Sequence, residues 1–398
     1  MARILIDITA AIRQGAGIGR YARELTRAIL RMFPQHRYTL FYAGPARFPP
    51  IWAQGAPVRL RAAPLPERGM VWLWHRLSLP IPVELFAGLA DLIYSPDFLL
   101  PPTLPGRPTL LTVHDLSFEI MPETLPEPLV VYLRRNVPRA VRRATHILAD
   151  SESTRRDLIR LWGVPPERIT VLYSGVEPRF RPVEDPEQQA RVRARYGLGP
   201  WPFVLTVGTV QPRKNYPRLI EAFAILVREG IFPQGHLVMV GEQGWKAEGT
   251  FEAIRRSGLA DRIHWLGFVA DEDLPALYSA AAAFALVSRY EGFGLPALEA
   301  MACGAPVVVS RTSSLPEVVG EAGVLVDPES VEDIVRGLRA VLEDPERQAR
   351  LRMAGLERAR RFTWEAAARR WYEVVDPLLQ GQAPIMGKRG SSQEQPLG

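Results

Sequence analysis

The sequence is poor in cysteine and lysine and has no long apolar run. It contains one cysteine, Cys303, and three lysines against 46 arginines. A single cysteine forms neither an internal disulfide nor a cysteine metal cluster, so nothing in the chain requires an oxidising compartment. The longest apolar candidate, residues 277–288, is shorter than the roughly 18 to 20 residues that a membrane-spanning helix needs. We therefore expect a cytoplasmic protein that does not span a membrane.

The composition is that of a folded protein with more than one domain. Of the 398 residues, 47% are hydrophobic and 23% are charged. At roughly 150 residues per domain, the length allows two or three domains. A disulfide-stapled miniprotein and a wholly disordered chain are excluded. Asp7 introduces a charge before an apolar signal-peptide region could form, so we expect no export.

Positive charge is concentrated in the first half of the chain. Residues 1–200 hold 27 Lys and Arg against 18 Asp and Glu, whereas residues 201–398 hold 22 against 25. The densest segment, Arg134–Arg160, has eight arginines and three acids. Such a segment could attract anionic lipid, phosphorylated substrates or nucleic acid, although a solvated helix face is the commoner explanation.

Two strand and helix patterns follow one another along the chain. The first opens with an apolar strand at Arg3–Ile8, a glycine-rich turn at 15–19 and a helical period at Tyr21–Met32. Further short apolar runs lie at 38–42, 92–94, 109–113, 146–149 and 169–172, and then at 203–208, 236–241, 263–267, 283–288, 306–310 and 323–327. Short apolar strands that alternate with helices are typical of parallel sheets covered on both faces.

The pattern predicts an α/β protein with two doubly wound, Rossmann-like parallel-sheet domains that face a cleft. The expected parts are a first domain at 1–180, a linker in the proline-rich stretch at 181–202, a second domain at 203–363, a C-terminal helix at 364–380 that packs back towards the first domain, and a disordered tail at 381–398. Ligands of such sheets bind outside the carboxyl ends of the strands. We therefore expect function in the loops that follow the strands.

The loop and helix at residues 288–310 have the richest binding signature. Glycines followed by Pro296 predict a helix start near Leu295. The backbone N–H groups of Gly292–Leu295 would then form an anion site suited to a diphosphate. Glu299 on the helix could accept two hydrogen bonds from a ribose diol, and Glu291 could do likewise for a sugar hydroxyl. The alternative is that Glu291 caps the helix and Glu299 is solvated.

Three other loops carry candidate groups. Arg213 and Lys214 precede a helix, where they could neutralise phosphate oxygens or form a surface ion pair. His114 ends a strand and could hydrogen-bond a substrate or move a proton, although a lone histidine is more often structural. The glycines at 15–19 do not match G-x-G-x-x-G, because an arginine occupies position 20, so NAD binding is disfavoured.

Two segments carry a family resemblance, EGFGLPALEAMACGAPVVVS at 291–310 and SLPEVVGEAGVLVDP at 314–328. With them, about residues 1–375 resemble the retaining nucleotide-sugar glycosyltransferases of family 4, which have the two-domain GT-B architecture. The segment VGTVQPRKN at 207–215 resembles bacterial mannosyltransferase-like members of surface polysaccharide assembly. The resemblance implies an enzyme that transfers a hexose, with mannose favoured, to a glycan or polyprenyl-linked acceptor with retention of configuration.

The resemblance also implies roles for the candidate residues. The implied catalytic residues are His114, Glu291, Arg213 and Lys214. The implied donor contacts are Gly17, Gly19, Arg213 and Lys214 at the diphosphate, His114 at the sugar, Glu299 at the ribose, Phe268 and Val269 at the base, and Glu291 with Gly292, Phe293, Gly294 and Leu295 at the transferred sugar. The favoured donor is GDP-mannose, with UDP-glucose and deoxysugar donors close behind. Neither a metal nor another cofactor is expected, since cations and helix amides would stabilise the leaving diphosphate.

Two positions depart from the family pattern. Thr209 stands where many relatives have an arginine, so the charge at the phosphates has to come from Arg213 and Lys214. The Asn-Gly-Val-Asp of many relatives reads Ser-Gly-Val-Glu at 174–177, which puts any specific role of that asparagine in doubt. Because no nucleophile is evident for the reactive face of the sugar, our hypothesis is that the leaving group departs, and the acceptor attacks, on the same face.

The acceptor is expected to dock on the first domain. The arginines at 134–160 and the aromatic stretch at 70–80 could contact an anionic membrane that carries a lipid-linked acceptor, at the inner face of the cell membrane. A buried amphipathic helix around Trp72 and Trp74 explains the second segment equally well. No nucleic-acid partner is expected, since the aromatic residues are not interleaved with the arginines.

Other functions fit parts of the sequence. A sugar-nucleotide epimerase of the same architecture would bind a similar donor and need no acceptor. A non-catalytic sensor of nucleotide sugars would keep the binding residues without transfer. A pyridoxal-phosphate phosphorylase needs a Schiff-base lysine, and none of Lys214, Lys246 and Lys388 lies in a matching motif.

Overall fold

The computed structural model describes residues 1–15, 17–46, 50–53, 58–77 and 79–382, without the side chains of residues 51, 52 and 75. The described residues form two parallel sheets, of seven and six strands, each covered by helices. The predicted pair of doubly wound domains is therefore confirmed as an architecture. Most of the tail expected to be disordered, residues 383–398, lies outside the described part of the chain.

The strands alternate with the helices along the chain. The strands are β1 (Arg3–Asp7), β2 (Arg37–Tyr42), β3 (Val58–Ala62), β4 (Leu92–Ser95), β5 (Thr109–Val113), β6 (His146–Ala149), β7 (Ile169–Val171), β8 (Phe203–Val207), β9 (His236–Val240), β10 (Ile263–Gly267), β11 (Ala283–Leu286), β12 (Val307–Ser310) and β13 (Gly323–Val326). Their spatial orders are β3-β2-β1-β4-β5-β6-β7 and β10-β9-β8-β11-β12-β13.

The helices lie between and after these strands. They are α1 (Thr9–Arg13), α2 (Ile18–Met32), α3 (Glu67–Val71), α4 (Glu84–Ala87), α5 (Ser117–Ile120), α6 (Glu127–Arg143), α7 (Glu152–Trp162), α8 (Pro186–Arg195), α9 (Tyr216–Arg228), α10 (Glu248–Ser257), α11 (Leu274–Ala280), α12 (Leu295–Ala302), α13 (Leu315–Val319), α14 (Val331–Leu342), α15 (Pro345–Ala359) and α16 (Trp364–Leu379). A π-helical turn, Trp72–Arg76, follows α3.

Burial on both faces explains why the strands have continuous apolar runs. In the second sheet, Phe203 and Leu205 pack into the core on one face, while Val204 between them packs into the core on the other. Sequence reasoning missed β3 at the edge of the first sheet, because its residues are mostly exposed and include Arg59 and Arg61. A half-polar edge strand gives little apolar signal.

Both sheets reverse their strand order at a central pair, and this reversal positions the cleft. The chain moves outward from β1 to β3, returns, and continues from β4 on the other side of β1; β8 and β11 make the same reversal. Ligands of open α/β sheets bind at this switch point, outside the carboxyl ends of the strands. The loops after β1, β8 and β11 therefore meet where a ligand is expected.

The proline-rich stretch expected to be a linker contains a helix. Asp185 caps α8 by accepting a hydrogen bond from the Glu187 N–H at 2.9 Å, and Pro186 occupies the first turn, where a missing N–H costs nothing. Val192 and Leu198 are buried in a core of the second sheet. One of the prolines that suggested a linker, Pro186, therefore begins a helix.

Helix α16 returns to the first sheet after the chain has completed the second. Its Trp371 is fully buried in the same core as Ile4 of β1 and Ile29 of α2. The Trp371 ring lies 5.8 Å, centroid to centroid, from that of Tyr94. The helix therefore supplies part of the core on which β1 and α2 rest.

Replacement of Trp371 by alanine should destabilise the first sheet strongly. The change leaves a large cavity in a close-packed core, and such truncations cost about 3–5 kcal/mol. Trp72→Ala is the matched control: its side chain is 54% exposed, so we expect a change within about 0.5 kcal/mol. Urea unfolding followed by far-UV circular dichroism measures both, and equal effects would contradict the packing of α16.

Candidate active site

The loops at the switch points enclose a cavity of about 1360 Å³ between the two sheets. It exceeds the roughly 300–1,000 Å³ of a pocket for one drug-sized ligand. The predicted donor residues that line it are Gly17, His114, Arg213, Lys214, Phe268, Val269, Glu291, Gly292, Phe293, Gly294, Leu295 and Glu299. Residues distant in sequence are thus brought to one cleft, which is large enough for two substrates together.

Gly19, predicted to approach the diphosphate, does not line the cavity in the described structure. A Cβ at this position would meet the carbonyl oxygen of Gln14 at 2.1 Å. Glycine is therefore required for close packing between the turn and α2. Gly17 does line the cavity, and with a φ of 56° it has the left-handed conformation that favours glycine.

A buried cluster joins the loops after β8 and β11. Lys214 Nζ donates to Glu291 Oε1 at 2.7 Å, and Arg213 Nη1 donates to Glu291 Oε2 at 2.9 Å. Burial alone would raise the pKa of Glu291, but the two cations lower it to about 2. Glu291 therefore holds both cations side by side at the cleft, a contact that the sequence did not predict.

Asn215 fixes the loop that carries the two cations. It adopts a left-handed conformation, with a φ of 60°, at the start of α9. Its side-chain amide donates to the carbonyl oxygen of Val287 at 3.1 Å and to that of Pro328 at 2.6 Å. Sequence reasoning missed this residue, although an asparagine directly before a helix is a common sign of a specialised turn.

Helix α12 begins at Leu295, as predicted, and its N-terminus faces the cleft. Gly294 before it has a φ of 108°, and a Cβ there would meet Leu315 Cδ2 at 2.6 Å. A Cβ on Gly292 would meet the carbonyl oxygen of His114 at 2.3 Å. Gly292 is thus needed because the two domains approach each other closely at the start of this helix.

His114 lies in the cavity wall with both ring nitrogens engaged. Nδ1 is 2.7 Å from Asp150 Oδ2, and Nε2 is 3.2 Å from the carbonyl oxygen of Pro96. Burial lowers the pKa of His114, but the Asp150 carboxylate more than offsets this and the pKa is raised to about 9. The carbonyl oxygen of Pro96 and an ionised Asp150 only accept, so the geometry suits a ring with a proton on each nitrogen, although burial raises the pKa of Asp150 as well. The expected proton transfer would require one of these hydrogen bonds to break.

Glu299 is buried in the cleft and has two donors. The hydroxyl of Tyr278 donates to Oε2 at 3.0 Å, and Nη1 of Arg20 donates to Oε1. The alternative of a solvated Glu299 is therefore wrong, since the residue is only 3% exposed. Arg20, on α2 of the first domain, is a site residue that sequence reasoning treated only as an interruption of the glycine pattern.

The residues expected at the base lie after β10. Phe268 is 69% exposed at the cavity, whereas Val269 is buried in a core of the second sheet. Phe293, by contrast, is buried against the rings of Tyr173 and Phe362, each with centroids 6.0 Å away. Phe293 can thus offer a ligand only its backbone.

Contacts between the domains continue outside the cavity. Both carboxylate oxygens of Glu317 on α13 accept hydrogen bonds, each 2.7 Å long, from the N–H groups of Glu152 and Ser153 at the start of α7. Tyr290 donates its hydroxyl to Asp157 Oδ2 at 2.8 Å. A side chain of the second domain thus caps a helix of the first.

An Asp-x-Asp spacing does occur in the chain, at Asp271 and Asp273, and the expectation of a metal-free site overlooked it. Asp271 pairs with Arg20 at 2.8 Å, and Asp273 pairs with Arg195 at 2.7 Å. Within the described residues there is no cluster of three or more His, Cys, Asp or Glu suited to a metal ion. In the same part of the chain, no helix is long and apolar enough to cross a membrane.

Comparisons with known proteins agree with this architecture. Residues 15–180 match the Glycosyltransferase Family 4 model, and residues 190–358 match the model for Glycosyl transferases group 1. Among solved structures, HepE of Anabaena in complex with UDP and glucose superposes with a TM-score of 0.74 at 22% identity, over 94% of this chain and all of that one. Sucrose-phosphate synthase from Thermosynechococcus elongatus gives 0.73 at 22% identity, over 96% of this chain and 100% of that one.

Curated relatives are closer in sequence. The O-antigen chain mannosyltransferase B of Escherichia coli is 37% identical over 276 residues, which cover 69% of this chain and 71% of the relative. The serotype-specific mannosyltransferase WbdA of Escherichia coli is 32% identical over 240 residues, which cover 60% of this chain but 29% of the relative. The chain therefore belongs to glycosyltransferase family 4, has the GT-B fold and is a glycosyltransferase enzyme.

Proposed function

We propose that the enzyme transfers mannose from GDP-mannose to a glycan or polyprenyl-linked acceptor in surface polysaccharide assembly, with retention of configuration. The observation that carries the proposal is the buried cluster of Arg213, Lys214 and Glu291, which lines the same cavity as Glu299. The similarity to an O-antigen chain mannosyltransferase supports the choice of mannose and of the acceptor.

The cluster is suited to a leaving nucleoside diphosphate. Negative charge grows on the diphosphate as its bond to the sugar breaks, and fixed cations in a desolvated site stabilise that charge. Two basic side chains face one carboxylate, so the formal charge of the cluster is positive when Lys214 is protonated. Burial lowers the pKa of Lys214 while Glu291 opposes the shift, and a bound diphosphate would favour the protonated form further. These cations would serve in place of a metal, so we expect transfer to continue in the presence of a chelator.

The remaining donor contacts follow from the placement of the cavity residues. Glu299 would accept the ribose hydroxyls, and the exposed Phe268 together with the backbone of the buried Val269 would contact the base. The backbone N–H groups at Gly292–Leu295, at the start of α12, would hold the sugar and its phosphate. Gly17 would bring the backbone of the first domain close to the diphosphate.

His114 would act as a fixed cation beside the transferred sugar and not as a general base. Its pKa of about 9 keeps it protonated at neutral pH. Two buried glutamates of the cavity are engaged as well, Glu291 by two cations and Glu299 by Arg20 and Tyr278. This arrangement supports attack of the acceptor on the face from which the diphosphate leaves, with the diphosphate taking the acceptor's proton.

A peripheral membrane contact would bring the enzyme to a lipid-linked acceptor. We define the apolar edge as the exposed large apolar residues beside β3, α3 and α4, which are Leu60, Leu65, Trp72, Leu77, Leu79, Leu85 and Leu89. Helices α3 and α4 share one small core around Met70 and Trp74. Exposed arginines at 59, 61, 68 and 76 accompany them. Apolar and basic groups together favour an anionic lipid surface.

The arginines at 134–160 support the membrane contact less well than the apolar edge does. Arg134 pairs with Glu119 at 3.0 Å, Arg155 with Glu152 at 3.3 Å and Arg160 with Asp157 at 2.7 Å. Arg143 donates to the carbonyl oxygens of residues 100 and 101. Three of the eight arginines are therefore already paired with acids of the first domain.

The donor is tested by thermal unfolding in the presence of GDP-, UDP-, dTDP- and ADP-sugars. GDP-mannose should raise the stability most, by about 2.7 kcal/mol at 100 times its dissociation constant. Lys214→Ala should lower kcat by about 10²–10³-fold, because one fixed cation at the leaving group is lost. Arg255→Ala, which removes a 68% exposed arginine side chain of the second domain, is the control and should change neither quantity.

An assay of sugar transfer and donor consumption distinguishes the competing functions. Transfer to an added acceptor, with the anomeric configuration retained by NMR, supports the proposal, while an inverted product contradicts the mechanism. Consumption of the donor without any acceptor would favour the epimerase. Donor binding without any turnover would favour the sensor, and no binding of any nucleotide sugar would refute the donor site itself.

Membrane contact is tested by flotation with phosphatidylcholine vesicles, with and without phosphatidylglycerol. We expect binding to the anionic vesicles, and a severalfold loss of binding in Trp72→Ser because an apolar anchor is removed. Met353→Ser changes an exposed apolar residue on α15 of the second domain, 74% exposed, and should bind like the wild type. Equal losses in the two variants, or no binding at all, would contradict a contact through the apolar edge.

The His114 pair predicts how stability depends on pH. Because the folded pKa of about 9 lies above the ordinary value of about 6.5, the protonated ring stabilises the fold fully below pH 6.5. This contribution is lost as the pH rises from about 6.5 through 9. The midpoint temperature of thermal unfolding of the wild type should therefore fall over pH 7–9 relative to that of His114→Gln. Parallel curves for the two proteins over this range would refute the charged state of His114.

A further inference from the structure

Arg20 reaches from the first domain into a group of three carboxylates, of which Glu177 and Glu299 are buried. It lies on α2, is 9% exposed, and donates through Nη1 to Glu299 and through Nη2 to Asp271 at 2.8 Å. Its Nε lies 3.3 Å from Glu177 Oε1 in the segment that joins the domains. One guanidinium thus links both domains and the connecting chain.

The contacts around Glu299 leave it a defined capacity for a ligand. Its two oxygens offer about four acceptor positions. Arg20 occupies one on Oε1 and Tyr278 occupies one on Oε2. One position on each oxygen remains, which matches the two hydroxyl donors of a ribose diol. The two protein donors come from different helices, α2 and α11, so they fix the plane of the carboxylate from two sides.

The charge of Arg20 also decides whether Glu299 can accept two hydrogen bonds. Burial raises the pKa of Glu299 above its ordinary value, and the neighbouring Arg20 opposes this shift without reversing it. A protonated carboxyl would carry a donor in place of one acceptor. The ionised state that a diol requires therefore depends on the guanidinium.

We propose that Arg20 is a positioning residue for the donor nucleoside: it holds Glu299 oriented and ionised so that both ribose hydroxyls are accepted. This inference rests on the proposed role of Glu299 in ribose binding. It gives the first domain a part in recognising a nucleoside that the second domain otherwise holds. Recognition of the ribose is then complete only where α2 and α12 lie together.

The test compares dissociation constants, by calorimetry, of ribonucleoside diphosphates and their 2′,3′-dideoxy counterparts. Each of GDP, UDP and ADP is compared with its own dideoxy form. The preference ratio is the dissociation constant of the dideoxy form divided by that of the ribo form, and it is taken from the pair that binds most tightly. The wild type should favour the ribo form by about tenfold or more, as expected for hydrogen bonds to a charged group. Arg20→Gln should bring the ratio close to one. A purely structural role would weaken both ligands equally and leave the ratio unchanged.

Two further variants make the result decisive. Arg31→Gln alters an arginine on the same helix that is exposed and paired with Glu365 outside the cavity, and it should keep the wild-type ratio. Arg20→Lys keeps the charge but not the planar fork, so it should retain an intermediate ratio. If Arg20→Gln does not fold, Arg20→Lys serves as the test. A preference ratio in Arg20→Lys equal to that of the wild type would overturn the requirement for the planar guanidinium group.

The pH profile supplies a second readout. The titratable or charged groups around Glu299 and its partner Arg20 are Tyr278, Glu177, Cys303, Asp271 and Arg23. Loss of Arg20 raises the pKa of Glu299 further, so the affinity of Arg20→Gln for the ribo form should begin to fall at a higher pH on acidification than that of the wild type. Arg20→Lys should follow the wild-type profile, and identical profiles for all three proteins would count against the inference.

Glu299→Gln separates this inference from the proposed function. If the wild type shows a preference that Glu299→Gln loses and Arg20→Gln retains, Glu299 binds the ribose and the role of Arg20 is overturned. If the wild type shows no preference, or Glu299→Gln keeps it, ribose binding by Glu299 fails, and the inference about Arg20 fails with it.

Discussion

The burial of two carboxylates in one cleft is the constraint on which the site depends. An ionised carboxylate taken out of water is costly unless cations and hydrogen bonds compensate for it. Glu291 precedes α12 and Glu299 lies on it, so their partners have to converge on one short helix. The partners of Glu291 come from the loop after β8, and Arg20 comes from the other domain. Compensating these two charges therefore holds three separate parts of the chain at the cleft.

Features encoded locally could be predicted from the sequence. The start of α12 follows from glycines and a proline within a few residues, and the order of apolar runs specifies parallel strands whose carboxyl ends meet at one edge. Edge strand β3 and helix α8 could not be recovered in the same way. Alternating arginines leave β3 without a continuous apolar run. The prolines around α8 are typical of a linker, although Val192 gives this helix a buried face.

Long-range pairing limits what a single sequence can reveal about the site. Arg20 and Glu299 are 279 residues apart, and nothing near either position identifies the other. His114 illustrates the same limit, since its protonation state is decided by Asp150 on the neighbouring strand's loop, 36 residues away. The sequence could name both residues of chemical interest at 114 and 299, but the partners that give them their charge became visible only in the fold.

The two ends of the proposed donor site differ in how they use the first domain. At the proposed sugar end that domain offers mainly backbone and the His114 ring, and the close approach of His114 to Gly292 leaves no room for a side chain there. At the proposed nucleoside end it offers the Arg20 guanidinium, which donates to the Glu299 carboxylate. At one end, contact between the domains leaves no room for a larger side chain, and at the other end it supplies a charged group. A donor that spans both ends would therefore fit best when the two domains lie together, as they do in this structure.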